Sequence, residues 1–201
     1  MMNILKPAFL ATALIASSYV SAAQQTAPAF VKGVADQLTE RLNTDRAKYK
    51  KDPAYLRTIV QEDIIPYVDF DGFAKGVMGR YYRQASPAQI KQFQANFRGA
   101  LVGAYSKYLA EYDNESYTVR PYQALKDPTK AVVTMDFKTD KGQVVPVSYM
   151  LIDQGGWKIR SLKIEGIDVG LTFRKQFSSA VEANRGNLDK AIKNFVPKQP
   201  A

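Results

Sequence analysis

The chain contains no cysteine and no histidine, and only one tryptophan, in 201 residues. The first two absences remove whole classes of chemistry. No thiol nucleophile, Ser-His-Asp or Cys-His arrangement, imidazole general base or ordinary zinc site can be built from it. A catalyst made from this chain would have to work with carboxylates, tyrosine or lysine. The lack of cysteine also excludes disulfides and an acylated lipoprotein cysteine. Beyond the N-terminal segment, no stretch approaches the ~20 apolar residues of a transmembrane helix. No block of five or more lysines and arginines occurs, so nucleic acid is not an expected partner. Internal repeats and low-complexity segments are absent as well.

The N-terminus does carry a pattern. Met-Met-Asn-Ile-Leu-Lys is followed by the apolar run Ala8 to Ala16 and then by Ser-Ser-Tyr-Val-Ser-Ala-Ala. A basic start, a short apolar core and small residues at a cleavage site describe a secretory signal peptide. Cleavage after Ala22, with Ala23 an almost equal choice, leaves residues 23–201 as one expected domain. A chain of that length buries roughly 70% of its unfolded surface and needs no staples. Disulfides are favoured but not required after export. A free periplasmic protein is therefore expected. Its 28 basic against 19 acidic residues give a net charge of +9, which can steer it towards anionic membrane surfaces or acidic partners, although many exported proteins are simply basic.

Periodicity divides the rest into a helical first half, a strand-rich stretch and a helical tail. Phe30, Val34, Leu38 and Leu42 recur every fourth residue within a helix expected over about Pro28 to Lys50. Asp52-Pro53 starts a short helix carrying Leu56, Ile59 and Val60 that ends near Pro66. Asp69 caps a third, with Phe70, Phe73 and Val77, which Gly79 ends. Ser86-Pro87-Ala88-Gln89 has the spacing of a capping box. The helix it opens runs to about Tyr112, with Ile90, Phe93, Phe97, Leu101, Ala104 and Tyr108 in its apolar stripe.

From Glu115 the pattern alternates, predicting strands near Ser116 to Gln123, Lys130 to Thr139, Gln143 to Asp153 and Gly156 to Glu165. The turns Thr139-Asp-Lys-Gly142 and Asp153-Gln-Gly-Gly156 suit antiparallel hairpins. Trp157 and Ile159 share one phase while Leu162 and Ile164 share the other, so a bulge is expected near Arg160 and Ser161. One helix then holds Phe173, Phe177 and Val181, and a terminal one Leu188, Ile192 and Phe195. The expected class is α+β: a curved antiparallel sheet of about four to five strands packed against several helices. Such a cone is filled either by side chains or by a ligand, and periodicity does not distinguish the two.

Several blocks together resemble one family. They are Val77-Met-Gly-Arg-Tyr-Tyr-Arg-Gln-Ala-Ser-Pro-Ala-Gln89, the following Phe93, Phe97, Leu101 and Tyr105, Gly156-Trp-Lys-Ile159, Ile164-Glu-Gly-Ile-Asp168 and Phe173-Arg-Lys-Gln-Phe-Ser-Ser179. In order, over nearly the whole mature chain, they resemble the MlaC family, also called the toluene-tolerance auxiliary family. Tyr82 departs from a frequent tryptophan, and Thr172-Phe173 from a frequent Asn-Tyr. The resemblance implies a non-enzymatic periplasmic phospholipid carrier whose sheet and helices enclose an apolar cavity for acyl chains. It implies shuttling of glycerophospholipids between an outer-membrane lipoprotein–porin complex and an inner-membrane ABC transporter with an MCE-domain ring, maintaining outer-membrane lipid asymmetry. A monomer is expected, with no cofactor or metal and bound glycerophospholipid as cargo.

On that reading, the tail-binding residues are expected on the inward faces of the sheet and helices. They are Phe73, Val77, Phe93, Phe97, Leu101, Val133, Met135, Val147, Tyr149, Leu151, Trp157, Ile159 and Ile164. A phosphodiester calls for arginine's planar fork. Arg80, Arg83 and Arg174 are therefore expected to contact a headgroup or a partner, with Tyr81 and Tyr82 beside them. Two other readings stay open: a carboxylate-and-tyrosine enzyme using Asp136, Asp153, Glu165 or Asp168, and a structural adaptor whose cone is filled core.

Overall fold

The apolar stripe of the first helix decides how the helical half meets the sheet. In the computed structural model, which describes residues 25–110, 116–139 and 142–198, α1 (Ala27–Thr44) lays Ala27, Phe30 and Val31 against Ala131, Val133 and Met135 of the second strand. The expected signal segment, the expected end of the long helix near Tyr112 and residues 140–141 of the first hairpin turn lie outside the described residues.

The expected single helix over Pro28 to Lys50 is two helices. It breaks at Asp45, whose φ of −96° and ψ of 11° leave the helical region, and resumes as α2 (Arg46–Lys51). The physical reason is side-chain bonding at the break. Asp45 is buried, and its carboxylate is taken by Arg41 Nε at 2.5 Å, Lys48 Nζ at 2.6 Å and the Tyr55 hydroxyl at 2.9 Å. Side-chain bonding of this kind competes with helical continuation.

After α2, α3 (Tyr55–Asp63) and a 3-10 turn (Ile65–Tyr67) lead to α4 (Phe70–Met78). The Asp69 side chain caps α4 by accepting from the Gly72 amide at 2.9 Å. Gly79 ends it at φ 56°, a backbone conformation that a β-carbon disfavours. A second 3-10 segment (Gly79–Arg83) runs into α5 (Pro87–Ala110). The expected capping box is present: the Ser86 amide donates to Gln89 Oε1 at 2.9 Å and the Gln89 amide to Ser86 Oγ at 3.2 Å.

Among the described residues, β1 (Ser116–Val119), β2 (Lys130–Lys138), β3 (Val144–Asp153), β4 (Trp157–Ile164) and the short β5 (Ile167–Asp168) form one antiparallel sheet in sequential order. The predicted bulge lies in β4. Met150 pairs with Ser161 but Leu151 pairs with Ile159, so Arg160 is the extra residue. Asp168 caps α6 (Val169–Ala183) through the Leu171 amide, and α7 (Leu188–Asn194) closes the described chain.

The bulge also joins the two halves. The Asp69 amide donates to the Ile159 carbonyl at 2.9 Å, Val68 forms a parallel bridge with Ile159, and the displaced Arg160 pairs with the Asp69 carboxylate. α4 and α6 pack over β4 from this point. Their aromatic side chains build the largest buried cluster with α5 and α7.

Gly72 makes the junction possible, because a β-carbon there would collide with the Arg160 guanidinium and the Asp69 carboxylate. Glycine inside a helix ordinarily costs about 1 kcal/mol relative to alanine. Here the sign should reverse. Gly72→Ala is expected to destabilise the protein by roughly 1–3 kcal/mol, as overpacking does, measured by urea unfolding. A gain in stability would show that the pair steps aside freely.

Candidate functional site

Three clusters of described buried residues stay separate: the α4–α7 aromatic cluster, the α1–sheet cluster, and a smaller one of Leu42, Tyr49, Leu56 and Ile59. Where they meet, the interior is hollow. A cavity of about 280 Å³ is walled by α1 (Val31, Val34, Ala35, Leu38, Thr39, Leu42), by α3 and the turn after it (Val60, Ile64, Ile65, Val68), and by Phe70 and Phe73 of α4. α5 adds Leu101, Tyr105 and Leu109, and the sheet adds Tyr117, Phe137, Tyr149, Ile159, Ser161 and Leu162. The wall is almost wholly apolar, and among these residues only Thr39, Ser161 and three tyrosines carry polar groups. Burial pushes the Tyr149 phenol pKa upward, with Tyr105 adding to the effect, which marks the space as poorly hydrated.

The wall helix α1 is held from outside by a polar network. Arg41 donates to the Tyr55 hydroxyl at 2.8 Å and to Glu62 at 3.1 Å, and Gln37 donates to Asp63 at 2.9 Å while accepting from Tyr67 at 2.9 Å. Tyr55 and Asp45 hold Arg41 firmly protonated. Lys48, followed by Arg41 and Tyr55, holds the Asp45 carboxyl down at about 2. Further along, Asp36 accepts from Tyr117 at 2.6 Å, and the Trp157 indole donates to the Gln25 carbonyl at 2.8 Å.

Of the expected tail-binding residues, Phe73, Leu101, Tyr149 and Ile159 line the cavity. Val77, Phe93 and Phe97 instead sit in the aromatic cluster. Phe93 stacks on Phe97 at 5.5 Å and meets Phe177 edge-on at 4.8 Å, and Phe97 meets Phe173 at 5.7 Å. Side chains of α6 and α7, Phe173, Phe177, Ala191 and Ile192 among them, pack in the same cluster. Val133, Met135 and Leu151 are closed over by α1 in the sheet cluster. Trp157 packs at that cluster's margin and Ile164 at the margin of the aromatic one. Val147 is half-buried opposite Met135 and Ile164. The largest group of residues not anticipated is that of α1, followed by α3 and the turn after it. The α1 stripe was visible at Val34, Leu38 and Leu42, but periodicity alone marks it only as buried.

Arg80, Tyr82, Arg83 and Arg174 come together with Lys75, Ser178 and Glu182 around an open concavity of about 870 Å³. No described residue lines both this cleft and the apolar cavity. The Arg80–Arg83 connection is therefore not the border of the cavity, because α4 points Phe70 and Phe73 inward from its first turns while its C-terminal end abuts α6. Tyr81 is buried edge-on against Phe177 at 6.0 Å, its hydroxyl bonded to Arg80 at 2.7 Å. Arg174 Nε donates to the Gly76 carbonyl at 2.6 Å, and Arg80 also pairs with Glu182 at 3.2 Å.

The four carboxylates of the enzyme reading do not meet in the cavity. Asp136 is held by both arms of Arg120 at 2.7 and 2.8 Å, which lowers its pKa. Asp153 accepts from the Gly156 amide, Asp168 caps α6, and Glu165 lies exposed in the turn before β5. Among the described residues no group of carboxylates is placed to hold a metal ion, and no helix is long and apolar enough to cross a membrane.

The sequence profile of the family described as MlaC protein matches residues 32–196. The chain belongs to the MlaC family. It is 36% identical over 98% of its length to the toluene tolerance protein ttg2D of Pseudomonas putida, 91% of which is covered. It is 26% identical over 80% of its length to the intermembrane phospholipid transport system binding protein MlaC of Haemophilus influenzae, covering 77% of it. The fold superposes with a TM-score of 0.75, at 26% identity, on a phospholipid-binding protein from Ralstonia solanacearum solved in complex with a phospholipid. The match covers 85% of this chain and 94% of that one. The α+β architecture expected from sequence is thus the MlaC fold, with β5 as its fifth strand.

The brace on α1 in this MlaC-family chain is testable by pH. The Asp45 pKa lies below the ordinary value near 4, so its contribution is complete above about pH 4 and is lost as pH falls towards 2. Asp45→Asn is expected to melt below wild type at pH 5–7, and the gap should close between about pH 4 and 2. Melting curves across that range check it, and a gap unchanged at pH 2 would mean that the charge is not what holds α1.

Proposed function

We propose that this protein is a periplasmic phospholipid carrier: residues 23–201, released by signal cleavage, take glycerophospholipid tails into the cavity beneath α1. The observation that carries the reading is an almost wholly apolar, walled space inside an MlaC fold. The relatives named for phospholipid binding and transport support it. The need for a carrier is energetic. At ~0.8 kcal/mol per methylene, two acyl chains with about 30 methylenes cost about 24 kcal/mol to expose to water. An apolar cavity removes that cost and permits transfer across an aqueous gap.

The cavity's volume is at the lower edge of the ~300–1,000 Å³ typical of ligand pockets, and a diacyl lipid is a large ligand. Loading therefore spreads the wall, and release is driven by a docked partner that opens it rather than by spontaneous escape. The partners are an outer-membrane lipoprotein–porin complex and an inner-membrane ABC transporter with an MCE-domain ring, between which the protein moves as a monomer to maintain outer-membrane lipid asymmetry. No cofactor or catalytic group takes part. The cleft of Lys75, Arg80, Arg83 and Arg174 is the contact for acidic groups on such a partner, because it stands apart from the tail cavity and carries four cations against Glu182.

Two measurements test this reading. Native mass spectrometry of protein purified from the periplasm is expected to show co-purified phospholipid, and its complete absence would sink the carrier reading. The Arg80→Glu/Arg83→Glu double variant is expected to keep its bound lipid and its fold while delivering lipid to acceptor membranes carrying the partner complex about tenfold more slowly, as loss of electrostatic steering allows. Unchanged delivery would return the segment to scaffolding.

A further inference from the structure

The outer side of α6 joins an exposed aliphatic spot to the basic cleft. Successive helical residues turn by about 100°, so Leu171, Ser178 and Glu182 stand within about 20° of one line along the helix. Ser178 and Glu182 line the cleft, and Leu171, two turns nearer the N-terminus, is 46% exposed. Ile167 in β5 is 41% exposed and pairs with Ile164, which places it on the sheet face that carries the helices. At 1.5 Å per residue the strip runs about 16 Å from Leu171 to Glu182. It is aliphatic at one end and cationic at the other.

A single exposed aliphatic side chain needs no partner to explain it. What distinguishes Leu171 is its alignment with a cleft built from Arg80, Arg83, Arg174 and Tyr82, the residue types that carry most of the energy in protein interfaces. Two of these arginines are already positioned. Tyr81 and Glu182 hold Arg80, and the Gly76 carbonyl holds Arg174, which reduces the ordering that binding costs. Arg80 and Glu182 are both solvent-exposed, so an incoming carboxylate takes the place of Glu182 with little loss.

Shape and charge together select the occupant. The cations line a hollow of about 870 Å³ rather than a projection. A flat bilayer meets projections first, whereas a polypeptide segment enters a hollow with its side chains. Four cations against one carboxylate call for acidic side chains on that segment.

We propose that α6 is the docking helix: its outer side receives an acidic segment of a partner protein, which sets carboxylates among Arg80, Arg83 and Arg174 and an aliphatic side chain over Leu171 and Ile167. The proposal rests on the partner contact assigned to the cleft above. It adds an apolar anchor roughly 10–16 Å along α6 from the charged contact.

The test measures docking of lipid-loaded mature protein to acceptor membranes carrying the partner complex, beside protein-free vesicles of phosphatidylethanolamine and phosphatidylglycerol. Leu171→Ser is expected to dock about tenfold more weakly, the equivalent of ~1.4 kcal/mol, with unchanged melting temperature and lipid content. Glu182→Gln is expected to dock about threefold more tightly, because the carboxylate it removes competes with those of the partner. A folding defect cannot produce that gain. Wild-type docking by Leu171→Ser overturns the proposal, and so does Glu182→Gln that docks no better than wild type. Equal binding of wild type to the protein-free vesicles also overturns it, since the occupant is then the bilayer. If Leu171→Ser docks normally while Arg80→Glu/Arg83→Glu does not, the cleft contact stands and only this inference fails. If wild type does not dock to the partner-bearing membranes at all, the cleft reading itself fails and this inference falls with it.

Discussion

Asp69 is the point at which the helical half and the sheet become one structure. Its carboxylate accepts from the Gly72 amide and starts α4, while also meeting Arg160 of the bulge and Gln154 of the β3–β4 turn. Its amide holds the Ile159 carbonyl. With Asp69 buried and Arg160 partly exposed, the ion pair is a weak source of net stability, because desolvation offsets the attraction. What this pair supplies is position. With α4 fixed against β4, Phe70 and Phe73 face the interior, the aromatic rings of α5 and α6 and Phe195 gather behind them, and α1 lies over the β2 part of the same sheet face.

The consequence of that placement is an interior divided in three rather than one continuous core. The largest of the three is the aromatic cluster, whose rings pack edge-on and stacked against one another. The hollow lies where clusters meet, and its α1 side is held by side-chain polar contacts: the buried Asp45 with Arg41 and Tyr55, and nearer the surface Gln37 with Tyr67 and Asp36 with Tyr117. Contacts of this type hold a fixed geometry and are exchanged with water at modest cost.

Much of the fold was legible because short-range rules govern it. The Ser86–Gln89 capping box, the Asp69 cap, the Gly79 stop and the phase change that marks the β4 bulge all follow from residues within a few positions of one another. The break at Asp45 was not legible, because it depends on Tyr55 arriving from another helix. Phe93 and Phe97 show the limit for the site. Their spacing marks an inward face of α5, yet inward there means towards Phe177 and Phe195, whereas Leu101 and Tyr105 further along the same helix reach the cavity. The Arg80–Arg83 segment shows it again, since it joins two helices that both have cavity-facing residues and still lies outside the cavity.

The sequence by itself determined the chemistry that is absent, the family, the order of elements and which face of each is buried. These depend on composition and on periods of two and 3.6 residues, which local geometry imposes. Only the tertiary structure decided which buried faces meet a neighbour and which meet a hollow. Phe97 and Leu101 are alike in pattern and burial and differ only in what stands opposite them. An apolar residue is driven from water equally well by packed rings and by an apolar cavity, so the distinction exists only once elements distant in sequence are brought together.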